Sequence, residues 1–335
     1  MSITERLDRA QQRFPVLGFP LATIYKFGDD FGNYLAALLT YYALVSVLPL
    51  LLLGTTILSV VLVGHPHLRD ELLDSALGSF PVIGPQLKAP STLGGGTGAV
   101  VIGIIGSLYG ALGVAQALQY AGNTIWGVPR NRRPNPFLAR GRSVVLVLTA
   151  GIGMLVAVAA SIFLHAHWGT DSAVSQVGGF LIGVLVFTLV LMAAFRLAVK
   201  KRVGRLVLLP GVLFAAVGLQ VLQSVSYTYV NGVIKHASDV NAVFATILGM
   251  LAYLYVAAMV VVLAMEVNVV RHHRLWPRAL LTPFTDAVDL TRGDRLAYSR
   301  QAKAQRSKGY QEISVVFHPR PDDEKDETGK KDDAQ

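Results

Sequence analysis

Hydrogen-bonding side chains recur at helical spacing in two apolar stretches of this chain. Gln116, Gln119 and Asn123 fall at i, i+3 and i+7, and Gln220, Gln223, Ser224 and Tyr227 fall at i, i+3, i+4 and i+7. Each set forms one polar stripe along a helix of about 3.6 residues per turn. Amides and hydroxyls suit a path for a polar group, because they donate and accept hydrogen bonds without presenting a fixed charge. The competing use is structural: glutamines that bond one membrane helix to the next. Aligned directly, QALQYAGNT and QVLQSVSYT share Gln116 with Gln220, Leu118 with Leu222, Gln119 with Gln223 and Thr124 with Thr228.

Two further places carry unusual chemistry. Pro49 has no N–H to give the carbonyl of Val45, so a kink is expected there, with Ser46 placed to bond the freed carbonyls. A lipid-facing proline kink without function is the alternative. Glu266 is the one acid expected at membrane depth, with Asn268 two residues on. A carboxylate there must face other helices, pair with a cation or hold a proton. Arg271 and Arg274 also offer it a plain salt bridge.

Other chemistries find little support. The chain has no cysteine, which removes thiol nucleophiles, cysteine-ligated zinc and disulfides. It carries no Walker motif, and GGGTG at 94 to 98 reads as a flexible start to a helix. His165 and His167, with Asp171 nearby, are metal-ligating types, but solvated histidines are the commoner case. Neither a metal nor a cofactor is expected. Metal-assisted hydrolysis needs clustered carboxylates or histidines in an aqueous cleft, so an enzyme is not expected either.

The elements that must hold these residues are apolar runs. Residues 33 to 63 contain no Asp, Glu, Lys, Arg or His. As a helix they would extend roughly 45 Å, against a hydrocarbon layer of about 30 Å. Further runs at 97 to 126, 143 to 164, 177 to 199, 206 to 230 and 243 to 270 bring the expected spans to six. With 53% hydrophobic and 15% charged residues, the expected fold class is all-α: a polytopic membrane protein of six transmembrane helices. If the six divide three and three, the amide-bearing second and fifth spans are counterparts in inverted halves, the arrangement in which transporters place a site.

Lys and Arg number four before the first span, five between the second and third, five between the fourth and fifth, and thirteen after the last. The opposite loops carry two, none and one. This asymmetry predicts that both termini are cytoplasmic. Three domains are expected: residues 1–31 as an interfacial arm interrupted by Pro15 and Pro20, residues 32–270 as the six-helix domain, and residues 271–335 as a basic then acidic tail, partly disordered. Asp29 and Asp30 are placed to cap the first span. A short helix is expected within 65–96, and EISVVF at 312 to 317 has strand composition. The net charge of +9 sits where membrane topology places it, so anionic lipid, not nucleic acid, is the expected partner. Arg130, Arg132, Arg133, Lys200, Lys201 and Arg202 are the headgroup-binding candidates. A second copy of the chain, and envelope-assembly proteins acting through the tail, are the other partners considered.

Four segments carry a resemblance. LLTYYALVSVLPLLLL, QALQYAGNTIWGV, LLPGVLFAAV and ILGMLAYLYVAAMVVVLAMEVN occur in the order and spacing of the YihY/BrkB family and cover most of residues 30 to 270. The chain departs from the family pattern at Asn241-Ala242, where Tyr-Gly is usual, and at Ala264-Met265, where Gly-Ala is usual. The resemblance implies a six-helix protein of the bacterial inner membrane, linked to envelope integrity and to transport. An older ribonuclease label in the family finds no support in these residues. The expected function is therefore a transporter or translocase of a lipid or envelope precursor, with Ser46, Pro49, Gln116, Gln119, Asn123, Gln220, Gln223, Tyr227, Glu266 and Asn268 along its path. The alternative is a non-transporting membrane scaffold for envelope assembly.

Overall fold

The structure is a computed structural model, and it describes residues 3–61, 97–168, 173–200, 203–233, 239–285 and 288–318. Among these residues every regular element is helical. In order they are α1 (Ile3–Arg13), α2 (Pro15–Asp29), α3 (Gly32–Val61), α4 (Thr97–Ile125), α5 (Pro136–Trp168), α6 (Ala173–Ala198), α7 (Arg205–Val233), α8 (Asp239–His273) and α9 (Arg292–Ala304), with one 3-10 turn at Arg130–Arg132. Five stretches, one in each of α4 to α8, are long and apolar enough to cross a membrane. α3 has 30 residues, and its part Gly32–Val47 is apolar as well. The helix expected within 65–96 and the acidic end of the tail lie outside the described residues. EISVVF forms no strand.

The chain separates into two compact units: Met1–Asp30 with Thr124–Arg133 and Glu266–Gln335, and Phe31–Asn123 with Pro134–Met265.

In the second unit, consecutive helices approach closely at glycines. A Cβ on Gly110 of α4 would run into Ser46 of α3, one on Gly153 of α5 into Val190 of α6, and one on Gly218 of α7 into Val260 of α8. Such contacts suit a membrane interior, where small residues let backbones approach and van der Waals packing replaces the hydrophobic effect. Ala115, Leu146 and Ala194 form a buried cluster joining α4, α5 and α6. Large apolar side chains point outward instead: Ile102, Ile105, Leu148, Leu181, Leu189 and Leu248 are all exposed. α3 continues helically through Pro49, and Ser46 Oγ donates to Ala43 O at 2.8 Å, two residues before the Val45 carbonyl that the proline frees and not to that carbonyl itself.

The first unit is built from the arm, a loop, the end of α8 and the tail. The arm is two helices, broken at Phe14, whose β-region backbone (φ −108°) precedes Pro15 as sterics require. Pro20 is accommodated inside α2. Phe31, with φ 56°, then turns the chain into α3 in the left-handed region, which a residue bearing a Cβ enters at a cost of roughly 1–2 kcal/mol.

Candidate functional site

Two polar centres emerge, one in each unit. In the second unit, Gln119 is 4% exposed, and its Nε2 donates to Ala139 O at 3.0 Å and to Ser143 Oγ at 2.9 Å. Asn123, one turn on, donates from Nδ2 to Gln119 O at 2.7 Å and to Ala198 O at 3.2 Å, while its Oδ1 accepts from Lys200 N at 3.1 Å. These bonds tie α4 to α5 and to the end of α6. They use the amide donors fully, yet Gln119 Oε1 stays buried with no hydrogen-bond partner among the described residues. Gln220 Oε1 is in the same state, with its carboxamide over Gly183, where a Cβ would displace it.

The remaining stripe residues are dispersed. Gln116 and Gln223 are exposed. Ser224 Oγ donates to Gln220 O at 3.0 Å. The side chain of Tyr227 lies outside the described part. Ser46 and Pro49 face Gly110 and Gly106. Of the basic candidates, Arg130, Arg132 and Lys200 are exposed. Arg133 bonds Val128 O and Thr124 Oγ1, each at 3.3 Å, and Lys201 and Arg202 lie outside the described residues.

The second centre is a buried ionic knot in the first unit. Arg278 is 1% exposed; its Nη1 donates to Asp29 Oδ2 at 2.5 Å and its Nε to Asp294 Oδ1 at 2.7 Å. The guanidinium lies 5.2 Å from the ring centre of Tyr298 and 5.8 Å from that of Tyr25, within cation–π range. Asp294 does double duty. It accepts from Ala279 N at 3.0 Å, and it completes a capping box with Thr291 that starts α9. Around this core Leu280 N donates to Asp8, Gln11 to Arg278 O, Tyr25 to Leu280 O and Gln301 to Asp29 O. The two acids expected to cap α3 therefore serve cations instead: Asp29 bonds Arg278 and Asp30 bonds Lys26.

Lys26 also lies 3.6 Å from Glu266 Oε2, and both are buried. Burial alone would lower the Lys26 pKa, but Glu266 and Asp30 outweigh it and hold the ammonium above its ordinary value. Burial pushes the Asp30 carboxyl up, against the pull of Lys26. Glu266 and Asn268 are both fully buried. Sequence reasoning named these two, read Asp29 as a helix cap, and missed Lys26, Arg278 and Asp294. Signals for the missed residues existed: Thr291-x-x-Asp294 matches a capping box, and Arg278 is a lone cation in the apolar run LWPRALL.

An all-helical chain with several helices long and apolar enough to cross a membrane is, by class, a polytopic membrane protein. Its residues 23–284 match the family described as virulence factor BrkB, and the chain belongs to that family, as its sequence motifs indicated. It is similar to the inner membrane protein YhjD of Escherichia coli (strain K12), with 22% identity across 73% of this chain and 78% of that protein. It is also similar to a UPF0761 membrane protein of Alkalilimnicola ehrlichii, with 25% identity across 56% of this chain and 42% of that one. No solved structure matches.

Proposed function

We propose that the chain is a transporter or translocase of the bacterial inner membrane, moving a lipid or envelope precursor, with six spans and both termini in the cytoplasm. The observation that carries this reading is the pair of buried carboxamide oxygens, Gln119 Oε1 and Gln220 Oε1, left without donors among the described residues. A buried acceptor without a partner costs about 1–3 kcal/mol, a penalty that a passing hydroxyl or ammonium group relieves. The lysine and arginine asymmetry supports the orientation, and the basic loops suit a phosphate headgroup. Asn123, Ser46 and Pro49 lie in the same unit as that path, while Gln116 and Gln223, which are exposed, and Tyr227 are its candidates by sequence spacing alone. Glu266 belongs to the ionic centre through Lys26, and Asn268 is buried two residues on along α8. The test is reconstitution into liposomes with labelled phospholipid. The intact chain is expected to speed transbilayer exchange and Gln220→Leu to slow it, and loaded vesicles exchanging no faster than empty ones overturn the proposal.

A scaffold acting through the tail is the second reading, favoured by the exposure of Tyr310 and Val316 beyond α9. Removing residues 310–335, which takes away Tyr310 and Val316, spares every tail contact described above. Loss of envelope function with lipid exchange intact favours the scaffold.

A further inference from the structure

We propose that Asp30 and Glu266 hold one proton between them, forming a buried proton-binding site where the N-terminal arm packs on the last turns of α8. Glu266 is 0% exposed, and among the described residues neither of its carboxyl oxygens receives a hydrogen bond from an N–H or O–H donor. Its nearest cation, Lys26 Nζ, is 3.6 Å away and bonds Asp30 directly. The carboxyl of Asp30, bonded to that same ammonium, is the other buried carboxyl beside Lys26. Two carboxylates only accept, so neither can satisfy the other unless one carries a proton.

Charge counting leads to the same state. The groups facing Glu266 are Lys26, Asp29 and Asp30 from α2 and its C-terminal cap. Asp29 is bonded by Arg278, which is itself shared with Asp294. Among the described residues Lys26 is then the one cation paired with these two buried carboxyls, and like charges held against a single cation in a low dielectric do not both ionise. A metal ion in place of the proton would have to displace the Lys26 ammonium, which already stands beside both carboxyls. The pair titrates as a unit, so the proton belongs to both residues and not to either alone. None of this depends on whether the chain transports anything.

The test is infrared spectroscopy of the full chain in lipid nanodiscs, reading the carbonyl stretch of a protonated carboxyl and its displacement in heavy water. Near neutral pH the unmodified chain is expected to show this band. Glu266→Gln and Asp30→Asn are each expected to lose it, since a single carboxyl left facing Lys26 ionises. Glu266→Asp keeps the pair without introducing an amide and is expected to keep the band at a displaced position. No band in the unmodified chain, a band that survives either amide substitution, or a band unmoved in Glu266→Asp overturns the proposal.

Discussion

The two units are held together by opposite means. In the second, long helices meet through glycine and alanine, and a few amides bond across the contacts. In the first, two short helices at one end of the chain and one at the other are stitched by carboxylates, cations and side-chain bonds to backbone, between residues as far apart in sequence as Asp8 and Leu280. The physics separates them. Long apolar helices keep their backbone bonds internally and need only shape to pack. Helices of 11 and 13 residues are marginal alone and must borrow stability from tertiary contacts. Cohesion is therefore steric in the second unit and electrostatic in the first.

The largest expected effect tests the electrostatic half. Arg278→Met removes the cation that Asp29 and Asp294 share, leaving Asp294 buried without a counter-charge. Breaking a buried pair from one side costs about 3–5 kcal/mol. Hydrogen exchange should show α1, α2 and α9 opening together while α5 to α7 keep their protection. Uniform loss across all helices would mean that the units do not differ as described.

The steric half predicts the next largest loss. Gly110→Leu places a side chain where Ser46 of α3 already sits, contact that includes Ser46 backbone atoms and cannot be relieved by a rotamer change. Overpacking of this kind costs about 1–3 kcal/mol. Thermal unfolding in detergent should fall for Gly110→Leu but not for Gly98→Leu, since nothing lies within 4 Å of a Cβ at Gly98. Leucine is the better helix former, so equal losses would show that the added bulk, and not the α3–α4 contact, is what the fold rejects.

That difference in chemistry also explains what the sequence disclosed. Uncharged runs at 97 to 126 and 206 to 230 became α4 and α7 within three residues at each end, because hydropathy alone determines where such helices run. The arm and tail carry charges that pattern reading assigns to solvent. Nothing local says that Asp29 reaches Arg278, 249 residues away. Glu266 was readable as exceptional because it stands alone in an apolar run, whereas Lys26 looked like one cation among many. Gln119 and Asn123 announced themselves by spacing, but which neighbour they bond depends on helices they had yet to meet.

A pH series probes the junction between arm and α8. Lys26 and Asp30 both have pKa values raised in the folded chain, so both contribute stability that is complete below their ordinary values and is lost as pH climbs through the raised ones. For Asp30 the loss begins above 3.8, its ordinary value; for Lys26 it begins above 10.5. Hydrogen exchange in α2, corrected for its intrinsic pH dependence, should quicken from acid to alkaline conditions in the unmodified chain; in Asp30→Asn the loss that begins above 3.8 should disappear while the one above 10.5 remains. Protection that grows with pH would contradict the sign.

The smallest effect decides what the amides are for. Ser143→Ala removes one of two acceptors for Gln119 Nε2 and leaves Ala139 O in place at 3.0 Å. Inter-helix hydrogen bonds in membranes contribute about 0.6 kcal/mol on average, and the loss here should be of that order. Equilibrium unfolding of the reconstituted chain is sensitive enough to read it. If the cost instead approaches that of Arg278→Met, Gln119 and Asn123 form a structural knot of their own, the contrast between the units collapses, and a glutamine held that firmly is poorly suited to serve a moving substrate. A small cost together with slowed lipid exchange would leave the fold steric and the amides free to act on what passes.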